Sequence, residues 1–469
     1  MKALGLDIGT TTISAVVVNM EGREIVKAYT ISNGSFIETD LPWEKIQDPD
    51  KIMDKALGLL AEILEEHQDI SVIGLTGQMH GIVYLDENGK HISPLYTWQD
   101  GRGNIAPGID RSGVSLADDP GTQNTRPEDA RSICEILAEE FGVKAYTGYG
   151  LVTHLYNCRN HLVPEGAAKV CTIMDYLGMR LTGRKTPMVH SSNAASLGLY
   201  DAKRGCFMAE VLQRAGADAG ILPEVTDDFV LIGDHRGIPV SVAIGDNQAS
   251  FLGSVENAAD SILVNMGTGG QISVLSDSYF TAKGIEARPF VRGYYLLAGS
   301  SLCGGRAYAL LEHFFRSYAE AAGVSGIDHY SVMEKILDEK SEGEKLKVNT
   351  AFSGTREKPE KRGSVKNIGT ENFTPKALIG GVLDGMAEEL YKMYGRIEKG
   401  LSGARSRMIA SGNGIRKNRH LQEIMSERFG MSLELATREE EAAYGASVSG
   451  MIAAGKVTLK EAGILFAEK

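Results

Sequence analysis

Apolar positions near the start of the chain change their period twice. Ala3 to Leu6 and Ile13 to Val18 are dense short runs, and a turn at Glu21-Gly22 leads into a third, so residues 3–30 predict three strands. From Pro49 to about His67 the apolar residues Ile52, Ala56, Leu60 and Ile63 recur every three or four positions, which predicts a helix. Asp48 stands where it can cap that helix, and Pro49 suits its first turn. Val72 to Leu75 is then a short buried strand. Hairpin, helix, strand is the grammar of an α/β domain. The second half repeats it, with a hairpin over 262–275, a helix near Ala307–Ala321 and a long helix from Pro375 to about Glu398. Thr374 caps this last helix and Gly400 lies beyond its end. Gly381 and Gly385, four apart on it, read as simple helix packing. Arg407 to Ala410 is a strand, Ser411-Gly412-Asn413-Gly414 a turn, Asn418 to Phe429 a helix, and Glu439 to Ala454 a helix rich in small residues. The polar stretch Ser341–Lys376 is an excursion loop.

The two hairpins resemble each other. Leu4-Gly5-Leu6-Asp7-Ile8-Gly9-Thr10-Thr11-Thr12 has a weaker copy 258 positions later in Ile262-Leu263-Val264-Asn265-Met266-Gly267-Thr268-Gly269-Gly270. Each is an apolar strand, an Asp or Asn, a Gly-Thr turn and a second strand. Glycine lets backbone N–H groups approach an anion, and threonine adds a hydroxyl donor. Either one alone is an ordinary hairpin. The pair, in this order, points to a duplicated core gripping a nucleoside triphosphate and its metal.

A chain of 469 residues exceeds one hydrophobic core, so two domains are expected, with the junction near 240–260. We take them as 1–245 and 246–469. The composition is that of a soluble globular protein, with 55 glycines against an average near ~7%. The net charge of −12 and the absence of a basic stripe argue against nucleic acid and anionic membrane as partners. Cys134, Cys158, Cys171, Cys206 and Cys303 are dispersed and odd in number, which fits small core residues in a reducing cytoplasm. The chain enters a strand at once, leaving no room for a signal peptide, and no apolar run is long enough to cross a bilayer.

Several nucleotide and hydrolase signatures are missing: no G-x-x-x-x-G-K-[ST], no G-x-G-x-x-G opening the first βαβ unit, no H-E-x-x-H and no G-x-S-x-G. What is present is a set of polar residues at strand ends. Asp7 beside the first Gly-Thr turn would face phosphates, which requires a bridging cation such as Mg²⁺; it can equally cap the turn. Gly245-Asp246-Asn247-Gln248 follows an apolar run, so Asp246 is either a helix cap or a general base at a cleft lip. Gly77-Gln78-Met79-His80-Gly81 and Thr97-Trp98-Gln99-Asp100-Gly101-Arg102 combine flexible backbone, amide, imidazole, carboxylate and an indole face, a set suited to a polyol. Against that, Trp98 can be core and Asp100 with Arg102 a surface turn pair.

These residues together match a family. Over nearly its whole length the chain resembles the FGGY carbohydrate kinases of the actin-like ATPase superfamily. The motifs are D-I-G-T-T at Asp7–Thr11, G-Q-M-H-G at Gly77–Gly81, W-Q-D-G-R at Trp98–Arg102, G-D-N-Q-A-S at Gly245–Ser250, N-M-G-T-G at Asn265–Gly269 and S-G-N-G at Ser411–Gly414, in the family's order. Asn413 stands where the family commonly has glycine. The resemblance implies an α/β fold of two actin-like, ribonuclease-H-like domains with a ligand cleft between them. It implies a sugar held mainly by the first domain, ATP by the second, and frequent dimers. Carried onto this chain, it makes Asp246 the general base and Asp7 and Asp246 the Mg²⁺ ligands. Gln78, Met79, His80, Trp98, Asp100 and Asn247 would bind sugar. Thr10, Thr11, Gly267 and Thr268 would cradle the phosphates of ATP, and Gly412, Asn413 and Asn418 would meet its adenosine. Within the family, T-W-Q-D-G-R and Ser192-Asn193-Ala194-Ala195-Ser196 are more similar to sedoheptulokinases than to xylulokinases. The expected activity is ATP-dependent phosphorylation of a ketose, sedoheptulose first and xylulose second, in a cytoplasmic enzyme and possible homodimer. The rival outside this class is a non-sugar actin-like ATPase, which leaves Trp98 and the 77–81 loop without a purpose.

Overall fold

The structure is a computed structural model describing residues 1–106, 131–339, 344–355, 358, 360–438 and 440–464. Two compact units emerge. The first comprises Met1–Gly253, Pro289–Arg292 and Arg438–Ala462; the second comprises Ser254–Arg288, Gly293–Thr437 and the residues from Gly463 on.

In the first unit, Lys2–Ile8 pairs antiparallel with Thr12–Asn19, which pairs antiparallel with Glu24–Ser32. On its other side Lys2–Ile8 pairs parallel with Ile70–Gly77, whose far edge takes Ile238–Ser241 and Ile244–Gly245, also parallel. The second unit repeats this plan. Ser261–Met266 pairs antiparallel with Gly270–Ser276, which pairs with Tyr294–Ser301, while Arg407–Ser411 and then Ser432–Leu435 add in parallel. The repeat of two Gly-Thr hairpins is therefore a repeat of sheet topology.

Alternation along the first strand decides what each face meets. Leu4, Leu6 and Ile8 are fully buried in a core built with the helices Pro49–Glu66 and Ile173–Thr182. The helix Pro49–Glu66 is capped by Asp48, whose side chain accepts from the N–H groups of Asp50 and Lys51. Gly5 belongs to the opposite face, and a Cβ there would lie 1.7 Å from the carbonyl oxygen of Ala443; on Gly74 it would lie 1.7 Å from that of Ala446. Two glycines in adjacent strands thus let the backbone of the helix Glu441–Ala453 rest directly on the sheet. The small residues of that helix are the other half of the same contact. Its expected first residue, Glu439, lies outside the described residues.

In the second unit the sheet residues Ile262, Val264, Ile272 and Val274 share a core with the helices Gly305–Ala321, Pro375–Ile397 and Arg419–Phe429. Gly381 and Gly385 do more than pack helices. A Cβ on either would lie 2.8 Å or less from Val348, on the strand Lys347–Asn349, so the glycines seat a hairpin of the excursion loop across the helix. The loop's opening residues, 341–343, lie outside the described residues. Of the cysteines, Cys171 and Cys303 are buried as expected, but Cys206 is exposed in a two-residue edge strand.

Candidate active site

The three parallel strands of the first unit end side by side. Ile8 lies beside Gly77, and Gly77 beside Gly245, so the segments that follow emerge at one sheet edge: Gly9-Thr10, Gln78-Met79 and Asp246-Asn247. This is the carboxyl end of the strands, where open α/β sheets bind ligands. The site is tightly packed at Gly245, where a Cβ would lie 2.5 Å from Met79 Cε and 2.7 Å from Gln248 Oε1 and would displace the ends of those side chains. Met79 is buried and packs beneath Gly245, linking two of the three segments.

Asp7 shares the face of Gly5, the face covered by the helix Glu441–Ala453, so it meets Glu440 just ahead of that helix. Burial, then the charges of Asp246 and Glu440, push the Asp7 carboxyl up to about 7. Glu440 has a left-handed backbone (φ 55°) and accepts a hydrogen bond from Thr30 Oγ1 at 2.9 Å. Asp246 opens the helix Asp246–Ser254 and accepts from Asn247 Nδ2 at 2.7 Å. Asp246 and Glu440 are thus the two charges that act on the Asp7 carboxylate. Among the described residues no group of three or more potential ligands could hold a metal ion by itself.

The residues expected to meet a sugar form a network beside this edge. Trp98 is 47% exposed, which excludes a core role, and its indole N–H donates to Thr10 Oγ1 at 3.0 Å. The Thr10 hydroxyl donates to Gln78 Oε1, Gln78 Nε2 to Gln47 Oε1, and Gln47 Nε2 to the Thr10 carbonyl. Asn33 Nδ2 supports the same turn through the Gly9 carbonyl. His80 also has a left-handed backbone (φ 74°), an uncommon conformation outside glycine. It is held there by hydrogen bonds from its N–H to Ser196 Oγ and from Nδ1 to the Ser196 carbonyl, with its ring stacked on Tyr149 at 4.7 Å.

Asp100 departs from the expectation. It is fully buried, and its two oxygens accept four hydrogen bonds, from Arg102 N, Nε and Nη2 and from Lys45 N. A carboxylate offers about four acceptor sites, so none is left for a sugar hydroxyl. Arg102 is as deeply engaged: it donates to Asn157 and Glu44 and lies over the Tyr96 ring at 4.3 Å. Burial works against its charge, but the hydrogen bond and charge of Asp100 outweigh it and hold the guanidinium above its ordinary value. The pair anchors the loop that carries Trp98.

The Ser192–Ser196 segment lies behind the site and holds it together. Ser192 Oγ accepts from Gly245 N, Asn193 Nδ2 donates to the Ala243 carbonyl, and Ser196 holds His80. Sequence reasoning missed Gln47, Asn33 and Glu440, which carry no motif of their own.

In the second unit, three glycine turns converge. A Cβ on Gly304 would lie 2.3 Å from Gly269, and one on Gly412 2.6 Å from the Met266 carbonyl oxygen. Gly305 N and Arg306 N donate to the carbonyls of Gly267 and Thr268, bringing the hairpin to the start of the helix Gly305–Ala321. Thr268 and Asn413 are exposed there. Asn265 Nδ2 donates to Ser411 Oγ, in the place that Asp7 and Thr76 occupy in the first unit. Asn418 is buried, and its side-chain oxygen caps the helix Arg419–Phe429 by accepting from Leu421 N. Sequence reasoning passed over the Gly304 turn, although the run Cys303-Gly304-Gly305 before a helix was a signal for it.

Comparison with known proteins agrees with this geometry. The model of the FGGY family of carbohydrate kinases, N-terminal domain, matches residues 2–107, and that of the C-terminal domain matches residues 262–454. The sedoheptulokinase of Mus musculus is 24% identical over 95% of this chain and 96% of its own length. The gluconokinase of Bacillus subtilis is also 24% identical, over 97% of this chain and 88% of its own. The crystal structure of xylulose kinase from Rhodospirillum rubrum superposes with a TM-score of 0.81 at 21% identity, covering 99% of this chain and 92% of that one. Both units thus carry the mixed α/β, actin-like fold of the sugar kinases. Among the described residues no helix is long and apolar enough to cross a membrane.

Proposed function

Because this chain belongs to the FGGY family of carbohydrate kinases and is an ATP-dependent carbohydrate kinase, we propose that its sugar is a ketose, sedoheptulose ahead of xylulose. The observation that carries the reading is Trp98, a half-exposed indole tied to the Gly-Thr turn. An aromatic face there stacks on the C–H face of a sugar, while Gln78 and His80 meet its hydroxyls. The side chains tied to Trp98 are Thr10, Gln78 and Gln47, all neutral, and the guanidinium of Arg102 is already paired. That favours an uncharged sugar over an aldonate such as gluconate. The preference for a heptulose rests on the sedoheptulokinase relative and on the Trp98–Arg102 and Ser192–Ser196 motifs.

In this reading a sugar hydroxyl attacks the γ-phosphorus of ATP, the bond from that phosphorus to the β–γ bridging oxygen breaks to release ADP, and Asp246 accepts the hydroxyl proton, with Asn247 beside it on the substrate. Thr11, Gly267 and Thr268, with the backbone of Thr10, cradle the phosphates. Gly412 and Asn413 meet the adenosine, and Asn418 supports that loop from its capping position. Asp7 and Asp246 would hold Mg²⁺, which neutralises developing charge on the phosphoryl oxygens. The first unit would bind the sugar and the second ATP, in a cytoplasmic enzyme and possible homodimer; the expected division into 1–245 and 246–469 differs from the compact units, because 246–253, 289–292 and 438–462 belong to the first. Calorimetry with each ligand alone tests the assignment: Trp98→Ala should weaken sedoheptulose binding and leave ATP binding nearly unchanged. Equal loss of both would return Trp98 to a structural role.

A further inference from the structure

The network at Thr10 has a direction, and the direction can be derived. An indole nitrogen only donates, so Thr10 Oγ1 must accept from Trp98. A backbone carbonyl only accepts, so the Gln47 amide must turn its Nε2 toward the Thr10 carbonyl, which leaves Oε1 facing Gln78. Gln78 therefore presents Nε2 to Gln47 and Oε1 to Thr10, and the Thr10 hydroxyl must spend its single hydrogen on Gln78. Both ends of the chain are fixed by groups with one possible role, so the order cannot be reversed. Gln47 is fully buried and Gln78 nearly so, which makes an unpaired amide at either position costly.

We propose that the Thr10 hydroxyl and Gln47 are positioning residues for the sugar platform: the one-way hydrogen-bond ring Trp98–Thr10–Gln78–Gln47 sets the Trp98 ring and the Gln78 amide. The Thr10 hydroxyl then has no hydrogen for a phosphate, and the first hairpin serves the anion through backbone N–H groups and the exposed Thr11. A sugar hydroxyl that met Gln78 would feel the state of the whole ring. The ring makes sugar affinity depend on Gln47, which lies in a two-residue strand and has no exposed surface.

The inference rests on the ketose-kinase reading for its kinetic arm but not for its spectroscopic arm. Kinetics of Trp98→Phe, Thr10→Val, Gln47→Met and the Trp98→Phe/Thr10→Val double variant would be measured with ketose and ATP varied in turn. Each single change should raise the ketose KM about 2- to 10-fold, the value of one or two lost hydrogen bonds, and move the ATP KM less. The double variant should raise the ketose KM by less than the product of the two single effects, because both changes cut the Trp98–Thr10 bond. Thr10→Ser should bring the ketose KM back toward wild type. Emission of Trp98, isolated in a Trp43→Phe background without any ligand, should shift in Thr10→Val and in Gln47→Met. An unchanged emission would sink the ring whatever the substrate. A Thr10→Val variant whose ATP KM rises more than its ketose KM, with effects additive to Trp98→Phe, would give the hydroxyl back to the phosphates. A Trp98 emission that responds while no ketose is turned over would fault the substrate and keep the ring.

Discussion

Asp100 separates a sugar ligand from an anchor, and Asp100→Ala separates them by experiment. The substitution strips four accepted hydrogen bonds from two oxygens and leaves Arg102, 2% exposed, without its principal counter-charge. Glu44 and Asn157 retain part of the guanidinium's pairing. Breaking a buried pair by removing one partner costs about 3–5 kcal/mol, because the remaining charge is uncompensated. In a unit of this size each kcal/mol moves Tm by about 2–4 °C, so a fall of roughly 6–20 °C is expected. Thermal unfolding followed by circular dichroism would read it. Kinetics well below the lowered Tm should show a ketose KM raised less than tenfold, since the loop that carries Trp98 loses an anchor but no direct sugar contact is lost. The reasoning is refuted by a variant with wild-type Tm and a ketose KM raised tenfold or more, equivalent to about 1.4 kcal/mol of direct sugar binding.

Asp246→Asn should fold normally and lose about 10²–10⁴-fold in kcat, the usual worth of a general base; half or more of wild-type turnover would remove Asp246 from that role. Gly74→Ala should lower stability by about 1–3 kcal/mol or more, since its Cβ would fall 1.7 Å from a backbone oxygen, whereas Gly58→Ala, in open space on the helix Pro49–Glu66, should raise it by about 0.5–1 kcal/mol. Equal melting temperatures for those two variants would contradict the packing of the C-terminal helix. His190 is fully buried, and burial lowers its pKa to about 3. Its folded value lies below the unfolded one, so its contribution is intact above pH 6.5 and is lost as pH falls toward 3. His190→Gln should therefore tilt urea-derived stability toward acid by about 1.4 kcal/mol per pH unit between 6.5 and 4, and an unchanged slope would mean that His190 is protonated in the folded state.

The strands, helices and caps next to the two Gly-Thr hairpins were legible because periodicity and capping chemistry are local, whereas the helices Gly150–Arg159, Ile173–Thr182 and His329–Asp338 drew no expectation. The repeat of the Gly-Thr hairpin foretold the repeat of sheet order, since an antiparallel hairpin followed by a parallel strand is a topology that the motif carries with it. What the sequence could not yield was the identity of neighbours. Asp100 looked like a ligand because carboxylates in glycine-rich loops often are, and only the fold reveals Lys45 N and the Arg102 side chain consuming its lone pairs. Gln47 looked like nothing, because its importance comes from Thr10 and Gln78, residues 37 and 31 positions away. Glu440 meets Asp7 only because two glycines admit the C-terminal helix to the sheet. Gly381 and Gly385 were legible as a close-packing pair, but their partner, a strand from the excursion loop, was not.

The central claim is that a ketose accepts the phosphoryl group of ATP. Its direct test is steady-state ADP release by the purified full chain with Mg²⁺ and ATP over sedoheptulose, xylulose, gluconate and glycerol. The account predicts turnover well above the sugar-free rate, with the highest kcat/KM for sedoheptulose, xylulose next and gluconate lower. A kcat/KM for xylulose equal to or above that for sedoheptulose would move the assignment to a pentulose. Preference for gluconate or glycerol, or no sugar-dependent ADP release at all, would contradict the ketose reading.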